Sequence, residues 1–417
     1  MKRYVIILCW IIYPYFLLAQ ADTAQHIITG RQNTPEQQRK PYLILISADG
    51  FRYDYAKKHH AANLLAFSKE GVSAKSMIPS YPSLTFPNHY TIATGLYPSH
   101  HGIADNSFYD RKRKQFYTVS NRTAVEDGSW YGGVPIWVLA EQQEMLSASF
   151  YWVGSEAEIN GIRPTYYYNY NEDISIEKRI QVVVDWLLLP ADRRPHFISF
   201  YLPQADHEGH NFGPGSLQTR HAVQMIDSSI KKLADAVAAT GLPVNFIFVS
   251  DHGMTNVDTA HPVSIPPVDT TLFVISKGGQ LIHLYAKDPR AAGPAYKQLK
   301  KKENGFSIYL KKDMPARFHY GIKDDLADRE GEIIMIPHWP RMFSFSKIKS
   351  NPGAHGFDPA IPDMHATFYC WGPAFKKHLV IPSFENIHIY PVMTKILGLK
   401  YDHKIDGTGV IADKILK

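Results

Sequence analysis

The sequence of 417 residues predicts an α/β fold, with a mostly parallel central sheet, helices on both faces and a small α+β insertion. A nearly continuous apolar run such as residues 42–47 (YLILIS) is typical of a strand buried on both faces of a parallel sheet. Such runs alternate with segments that carry apolar residues at helical spacing. This alternation of strands and helices favours a parallel sheet.

The elements follow in chain order. Further strands of this kind are predicted at 148–153, 196–202 and 244–250. The clearest helix runs from Leu217 to Val237 and is closed by Gly241.

Residues 270–350 have a different pattern. A hairpin is predicted at 272–286, around Lys277, Gly278 and Gly279. A basic helix near 295–302 and strands near 306–310 and 332–336 follow. We expect this region to form the inserted subdomain.

The N-terminus resembles a secretory signal. Lys2 and Arg3 precede an apolar run, and residues 19–21 (AQA) suit a cleavage site. We therefore expect residues 1–21 to be a signal peptide, 22–40 a tether and 41–417 the main domain with its insertion at about 270–350. The run is short for a membrane span, so the mature chain is expected to be periplasmic or secreted, without a membrane span. A retained N-terminal anchor is the alternative.

Charge and cysteine content exclude some classes of protein. The formal net charge of +6 falls to about +4 without the two basic residues of the signal. That mild excess does not predict a stable nucleic-acid partner. Cys370 is the single cysteine left once Cys9 is removed, so the fold must depend on its core. The sequence does not predict an oligomeric state.

Metal-binding side chains stand at the predicted ends of several strands. The candidates are Asp49, Asp206, His210, Asp251, His252 and His355. The carboxyl ends of parallel strands share one edge of a sheet, which is where ligands bind. Carboxylate and imidazole suit zinc or a similar ion. A single Asp–His pair is more often a salt bridge in a core, but so many buried charges would be costly without a ligand.

Thr85 has two interpretations. It stands before a predicted helix with Pro87 in the first turn, so it suits a helix N-cap. Alternatively, its hydroxyl is a nucleophile, because a helix N-terminus and a metal cation both stabilise an alkoxide.

Four segments resemble the nucleotide pyrophosphatase/phosphodiesterase family of the alkaline phosphatase superfamily. They are 47–52 (SADGFR), 85–90 (TFPNHY), 95–103 (GLYPSHHGI) and 250–254 (SDHGM). The resemblance extends through Asp206 to Pro214 and the loop around His355. It implies an alkaline-phosphatase-like fold and makes 41–417 a phosphodiesterase catalytic domain.

The resemblance also implies a role for each candidate. Two Zn²⁺ ions are expected, one held by Asp206, His210 and His355, the other by Asp49, Asp251, His252 and the nucleophile Thr85. Asn106 would donate to a phosphate oxygen. Phe86 and Tyr170 would sandwich a nucleobase, with Trp152 and Glu156 lining the same pocket. Without the resemblance, the three aromatic residues would be interpreted as core.

These roles predict hydrolysis of nucleotide phosphodiester and pyrophosphate bonds to nucleoside 5'-monophosphates through a covalent threonine intermediate. The partner is then a small nucleotide or another phosphodiester. Alternatives are a phospholipid or glycerophosphodiester phosphodiesterase, an alkaline phosphomonoesterase, and a non-catalytic exported protein that binds zinc or nucleotides.

Overall fold

The structure, a computed structural model, describes residues 22–345 and 350–417. The predicted signal peptide lies outside the described residues. The strands, in chain order, are β1 (His26–Ile27), β2 (Tyr42–Ala48), β3 (Val72–Ala74), β4 (Met77–Ile78), β5 (Ser107–Asp110), β6 (Gln115–Thr118), β7 (Ser147–Phe150), β8 (Tyr166–Tyr168), β9 (Phe197–Leu202), β10 (Val244–Val249), β11 (Thr255–Asn256), β12 (Val263–Ser264), β13 (Phe273–Lys277), β14 (Ile282–Ala286), β15 (Phe306–Leu310), β16 (Ile333–Pro337), β17 (Phe343–Ser344), β18 (Gly353–Ala354), β19 (Phe368–Trp371), β20 (Leu379–Ile381) and β21 (Phe384–Glu385).

The α-helices vary from single turns to a helix of six turns. In chain order they are α1 (Tyr55–Lys58), α2 (Ala62–Glu70), α3 (Thr85–Thr94), α4 (Pro98–His101), α5 (Arg122–Glu126), α6 (Ile136–Gln142), α7 (Ile176–Leu187), α8 (Gln204–Phe212), α9 (Leu217–Ala238), α10 (Ala292–Lys300), α11 (Ile389–Leu397) and α12 (Val410–Ile415). Of the helices in the described ranges, none combines the length and the apolar character needed to cross a membrane.

The central sheet is mostly parallel, as predicted. Within the described residues it has nine strands in the order β1-β8-β7-β9-β2-β10-β19-β3-β20. Five of the eight neighbouring pairs are parallel. The predicted strands at 42–47, 196–202 and 244–250 are β2, β9 and β10, and they lie side by side at the centre of the sheet.

Helices cover both faces of the sheet, and β2 shows why its sequence is apolar throughout. Leu43 and Leu45 point into a core that includes residues of α3, α6 and α11. Ile44 and Ile46 point into a second core on the opposite face, with residues of α7 and α9. Since side chains alternate along a strand, only a strand between two helical layers needs apolar residues at every position.

The region predicted as the insertion contains a separate four-stranded antiparallel sheet in the order β13-β14-β16-β15. Its own apolar core includes Ile282, Ile308 and Leu299 of α10. A buried arginine, Arg329, joins this unit to the rest of the chain. Its guanidinium donates to the carbonyl oxygens of Gly102, before β5, and Trp130, after β6, and it pairs with Asp110.

Residues 22–40, predicted to be a tether, lie against the main domain. β1 extends the central sheet by pairing with β8. Asn33 is buried, donates to the carbonyl of Ala191 at 2.9 Å and accepts the N–H of Leu146 at 2.7 Å. Both partners are more than 100 residues away in sequence, and the composition of a segment carries no sign of such distant contacts.

Candidate metal centre and active site

Three adjacent parallel strands end at one edge of the sheet and place acidic residues there. Asp49 directly follows β2, and Asp251 follows β10 after a single serine. β9 leads into α8, which carries Asp206 on its first turn. This carboxyl edge is where open parallel sheets bind ligands.

A first cluster contains Asp206, His210 and His355. Asp206 and His210 are four residues apart on α8, so they share one face of the helix. The Nε2 atoms of His210 and His355 are 3.0 Å apart. Oδ1 of Asp206 is 3.4 Å from the first and 3.5 Å from the second. These three atoms converge on one point, as the ligands of a cation do.

A second cluster surrounds His252. Its Nε2 is 2.9 Å from Oδ2 of Asp251 and 3.4 Å from Oδ1 of Asp49. The imidazole rings of His252 and His355 stack with centroids 3.5 Å apart, so the two clusters are in contact. Asp206 also lies close enough to Asp49 and His252 to share a metal ion with them.

A backbone carbonyl group fixes the orientation of each of the three imidazoles. Each Nδ1 lies 2.9 Å from a carbonyl oxygen: Gly353 for His210, Gly253 for His252 and Ser83 for His355. A carbonyl group only accepts, so each Nδ1 carries the hydrogen and each Nε2 faces the cluster. This is the way in which metal-binding histidines are usually held.

Each carboxylate in the clusters has one buried oxygen without a hydrogen-bond partner among the described residues. These atoms are Oδ1 of Asp49, Oδ1 of Asp206 and Oδ2 of Asp251. An unpaired buried carboxylate oxygen is costly unless a cation balances it. The residues present therefore fit one or more divalent metal ions, with carboxylate and imidazole ligands.

Burial and the neighbouring side chains shift the pKa values of Asp49 and His355 in opposite directions. Burial raises the pKa of Asp49 well above its usual range, and the charges of the two neighbouring aspartates raise it further. Burial lowers the pKa of His355 well below its ordinary value, and the adjacent imidazoles add to this effect. His355 is therefore neutral, with a free lone pair on Nε2. A bound cation favours ionised Asp49 and neutral His355.

Thr85 lies beside the second cluster, and of its two interpretations the helix N-cap is wrong. α3 begins at Thr85, and Leu84, in an extended conformation, is the capping residue without a side-chain bond. Oγ1 of Thr85 is 3.2 Å from Nε2 of His252. The hydroxyl is therefore not used in capping and faces the clustered ligands at the positive end of α3.

Asn106 supplies the bond that the N-terminus of α3 lacks. The N–H of Phe86 donates to Oδ1 of Asn106 at 3.1 Å. Because a backbone N–H can only donate, this contact fixes which end of the amide is the oxygen. The NH₂ end of Asn106 is thus not used by this bond, which is made to the residue that follows Thr85.

The four residues predicted to line a nucleobase pocket differ in exposure. Tyr170 is 38% exposed and Phe86 is partly buried, so both rings are accessible. Trp152 is buried and donates from Nε1 to the carbonyl of His89 at 3.0 Å. Glu156 is also buried and accepts the N–H of Tyr170 at 2.7 Å. Trp152 and Glu156 are therefore buried, and each is hydrogen-bonded to the main chain of another residue near the site.

Three residues near the site were not predicted. His89 is fully buried, with Nδ1 3.0 Å from the carbonyl of Thr85 and 3.3 Å from Oδ2 of Asp251. Its position four residues after Thr85 on α3 was a signal that could have been used. Tyr201 donates to Asp49, and Arg122 pairs with Glu156. Those contacts depend on tertiary structure and leave no local pattern.

Comparison with known proteins identifies the family. The family model described as type I phosphodiesterase/nucleotide pyrophosphatase matches residues 43–358. The chain belongs to this family. All candidate ligands lie within the matched residues, and the family is part of the alkaline phosphatase superfamily, as the sequence motifs predicted.

Curated relatives in this family are larger than the chain. Ectonucleotide pyrophosphatase/phosphodiesterase family member 1 of Mus musculus is 35% identical over 394 residues, covering 88% of this chain and 42% of the relative. Venom phosphodiesterase 2 of Crotalus adamanteus is 34% identical over 397 residues, covering 89% and 47%. The chain thus spans about half the length of the curated relatives it matches.

Solved structures of the family share the fold. Murine ectonucleotide pyrophosphatase/phosphodiesterase 5 superimposes with a TM-score of 0.83 at 26% identity, covering 90% of this chain and all of that chain. An inactive threonine-to-alanine form of the same murine protein, in complex with AMP, gives a TM-score of 0.83 at 25% identity, covering 91% and 100%. The predicted alkaline-phosphatase-like α/β fold is confirmed by these matches.

Proposed function

We propose that this protein is an exported two-zinc phosphodiesterase and nucleotide pyrophosphatase that releases nucleoside 5'-monophosphates through a covalent Thr85 intermediate. One observation carries this proposal: three buried carboxylate oxygens without partners and three Nε2 atoms converge beside a threonine hydroxyl at a helix N-terminus. Membership of the family supports the same activity.

The two clusters divide the proposed ligands. Asp206, His210 and His355 would hold one zinc ion. Asp49, Asp251 and His252 would hold the other, with Thr85 beside them. When bound, two zinc ions supply positive charge next to the threonine hydroxyl, the phosphate group and the leaving oxygen.

The chain's own residues then carry the reaction. Oγ1 of Thr85 gives its proton to water and forms a bond to phosphorus while the bond to the leaving oxygen breaks, and the departing group takes up a proton from water. A water molecule next hydrolyses the threonine ester and restores the hydroxyl. The amide NH₂ of Asn106 donates to a non-bridging oxygen, whose charge increases in the transition state.

Charge favours a diester over a monoester. A monoester dianion has an additional charged oxygen, which calls for a further cation. Arg52, the arginine closest in sequence to Asp49, already pairs with Asp54 at 2.7 Å and Asp363 at 3.0 Å. Its guanidinium is therefore not available to the substrate.

The nucleotide is proposed from the aromatic residues. Phe86 follows Thr85 on α3, and the ring of Tyr170 lies with its centroid 5.9 Å from that of Tyr201, which donates to Asp49. Aromatic faces bind nucleobases by stacking. The murine relative that was solved with AMP supports a nucleotide ligand for the same fold.

The decisive experiment compares 4-nitrophenyl thymidine monophosphate with 4-nitrophenyl phosphate as substrates of the zinc-loaded protein. We expect a higher kcat/KM for the diester. Thr85→Ala should lose turnover by on the order of 10⁴-fold, as expected for a lost covalent nucleophile, and Thr85→Ser should retain much more.

Other outcomes would point to other members of the superfamily. Faster cleavage of the monoester would make the protein a phosphomonoesterase and would contradict the proposal. Release of choline from phosphocholine substrates in preference to AMP from ATP would make it a phospholipid phosphodiesterase. Full turnover by Thr85→Ala would exclude the threonine intermediate.

Export is proposed from residues 1–21 alone. We expect the protein recovered from cells that express the full sequence to begin near residue 22. Intact mass measurement tests this, and recovery of a full-length chain from the cytoplasm would contradict it.

A further inference from the structure

One tyrosine connects the candidate metal centre with the proposed nucleobase platform. Tyr201, near the end of β9, donates its hydroxyl hydrogen to Oδ2 of Asp49 at 2.6 Å. The other oxygen of this carboxylate, Oδ1, is the buried atom without a partner that faces Nε2 of His252. The two oxygens of Asp49 are therefore in different environments, and the Tyr201 hydroxyl creates the difference.

The backbone and ring of Tyr201 are both held in place. Its main chain pairs with Ser47 of β2, and its carbonyl accepts a bond from the buried Arg179 guanidinium at 3.2 Å. The ring meets His89 edge-on with centroids 5.3 Å apart and Tyr170 with centroids 5.9 Å apart. A side chain packed in this way cannot follow a carboxylate that rotates.

We propose that Tyr201 is a positioning residue that fixes the Asp49 carboxylate, so that it presents Oδ1 alone to a metal ion. This proposal rests on the function proposed above. A carboxylate whose second oxygen is engaged by a hydroxyl binds through one oxygen only. Catalytic zinc sites keep a ligand position open for substrate, and a one-oxygen Asp49 preserves such a position.

Asp251 also has hydrogen-bond donors on only one of its two carboxylate oxygens, although the donors differ from that of Asp49. Its Oδ1 accepts from the N–H of Gly50 and the hydroxyl of Ser250, both at 3.2 Å, while Oδ2 has no partner. Both aspartates of the second cluster thus have one engaged and one free oxygen. Tyr201→Phe removes the donor to Asp49 alone and leaves both donors to Asp251 in place.

The test is Tyr201→Phe, which deletes the hydroxyl and keeps the ring. The matched control is Tyr166→Phe on β8 of the same sheet, where the hydroxyl donates to the carbonyl of Arg193 at 2.9 Å. The proteins are stripped of metal and titrated with zinc against a chromogenic chelator. We expect Tyr201→Phe to bind zinc about 10- to 100-fold more weakly and Tyr166→Phe to bind it like the unmodified protein.

Two further measurements separate positioning from general stability. Zinc should raise the melting temperature of Tyr201→Phe less than that of Tyr166→Phe, although both metal-free variants melt alike. With a nucleotide diester, Tyr201→Phe should lower kcat at limiting zinc and leave KM nearly unchanged, because the ring beside Tyr170 remains.

The possible results distinguish the two proposals. If the unmodified protein binds no zinc, the proposed function is wrong. If it binds zinc and Tyr201→Phe binds zinc equally tightly, with the same rise in melting temperature, the proposed function stands and the role of Tyr201 is wrong.

Discussion

At the scale of single residues, Asn106 shows how one side chain serves both the fold and the site. Its Oδ1 accepts the Phe86 N–H and so completes the start of α3. That bond orients the amide and leaves its NH₂ group free of the Phe86 N–H. Because Leu84 has no side-chain acceptor, Asn106 supplies one for the start of α3 from another loop.

Asn106→Asp separates these two tasks. Aspartate keeps an oxygen that can accept the Phe86 N–H, but it replaces the NH₂ donor with a negative oxygen next to the phosphate. We expect kcat for a nucleotide diester to fall by about 10²- to 10³-fold, as for the loss of one donor in an oxyanion site. Thermal stability should be unchanged.

Asn106→Ala provides the comparison, because it removes the acceptor as well as the donor. This variant should be as slow as Asn106→Asp and also less stable, by about 1 kcal/mol. An Asn106→Asp enzyme with normal kcat would show that the amide does not contact the reacting phosphate.

At the scale of secondary-structure elements, the sequence predicted the features that depend on a local pattern of residues. The apolar runs of β2, β9 and β10 identified buried strands, and the acids that follow them identified the edge at which the clusters lie. The alternative interpretation of Thr85 as a helix cap was wrong, because α3 begins at Thr85 and the acceptor for the Phe86 N–H comes from residue 106. The pairing of β1 with β8 and the contact of Tyr201 with Asp49 also join distant segments, so no local pattern could predict them.

α8 and β18 approach each other closely at the site. A Cβ atom on Gly353 would lie 2.0 Å from the carbonyl oxygen of Gly209. The Gly353 carbonyl also accepts from Nδ1 of His210. Only glycine at position 353 allows β18 to approach α8 closely enough to orient His210 and to place His355 beside it.

Gly353→Ala should push β18 away from α8. We expect a loss of about 1–3 kcal/mol of stability from the steric overlap, together with weaker zinc binding, since His210 loses its acceptor. Gly293→Ala is the matched control, because nothing lies within 4 Å of a Cβ at that position in α10. Melting curves with and without zinc provide the measurement, and equal behaviour of the two variants would contradict this account of Gly353.

At the scale of the whole molecule, polar contacts join the inserted sheet to the main domain and to the C-terminal segment. His100 on α4 is central to them: its Nδ1 is 2.7 Å from Oδ2 of Asp406, and its Nε2 is 3.3 Å from Oδ1 of Asp324. Asp324 belongs to the loop between β15 and β16, and Nδ1 of His319 also lies 4.0 Å from it. With a carboxylate at each ring nitrogen, the imidazole of His100 is stabilised in its charged form.

The charge on His100 makes this junction dependent on pH. The hydrogen bond to Asp406 raises the pKa of His100 above its ordinary value, although burial acts in the opposite direction. A raised histidine pKa means that the folded state holds the proton more tightly than the unfolded state. The stabilisation is therefore complete below pH about 6.5 and is lost as the pH rises through the folded pKa.

His100→Gln should consequently be more harmful in acid than in base. We expect it to cost about 1–2 kcal/mol of unfolding free energy at pH 5.5, from the loss of charged hydrogen bonds, and clearly less at pH 9. A double-mutant cycle with Asp406→Asn, measured at both pH values, isolates this pair from His319 and Asp324. A coupling energy that is the same at pH 5.5 and pH 9 would mean that His100 is neutral in the folded protein and that the junction does not depend on its charge.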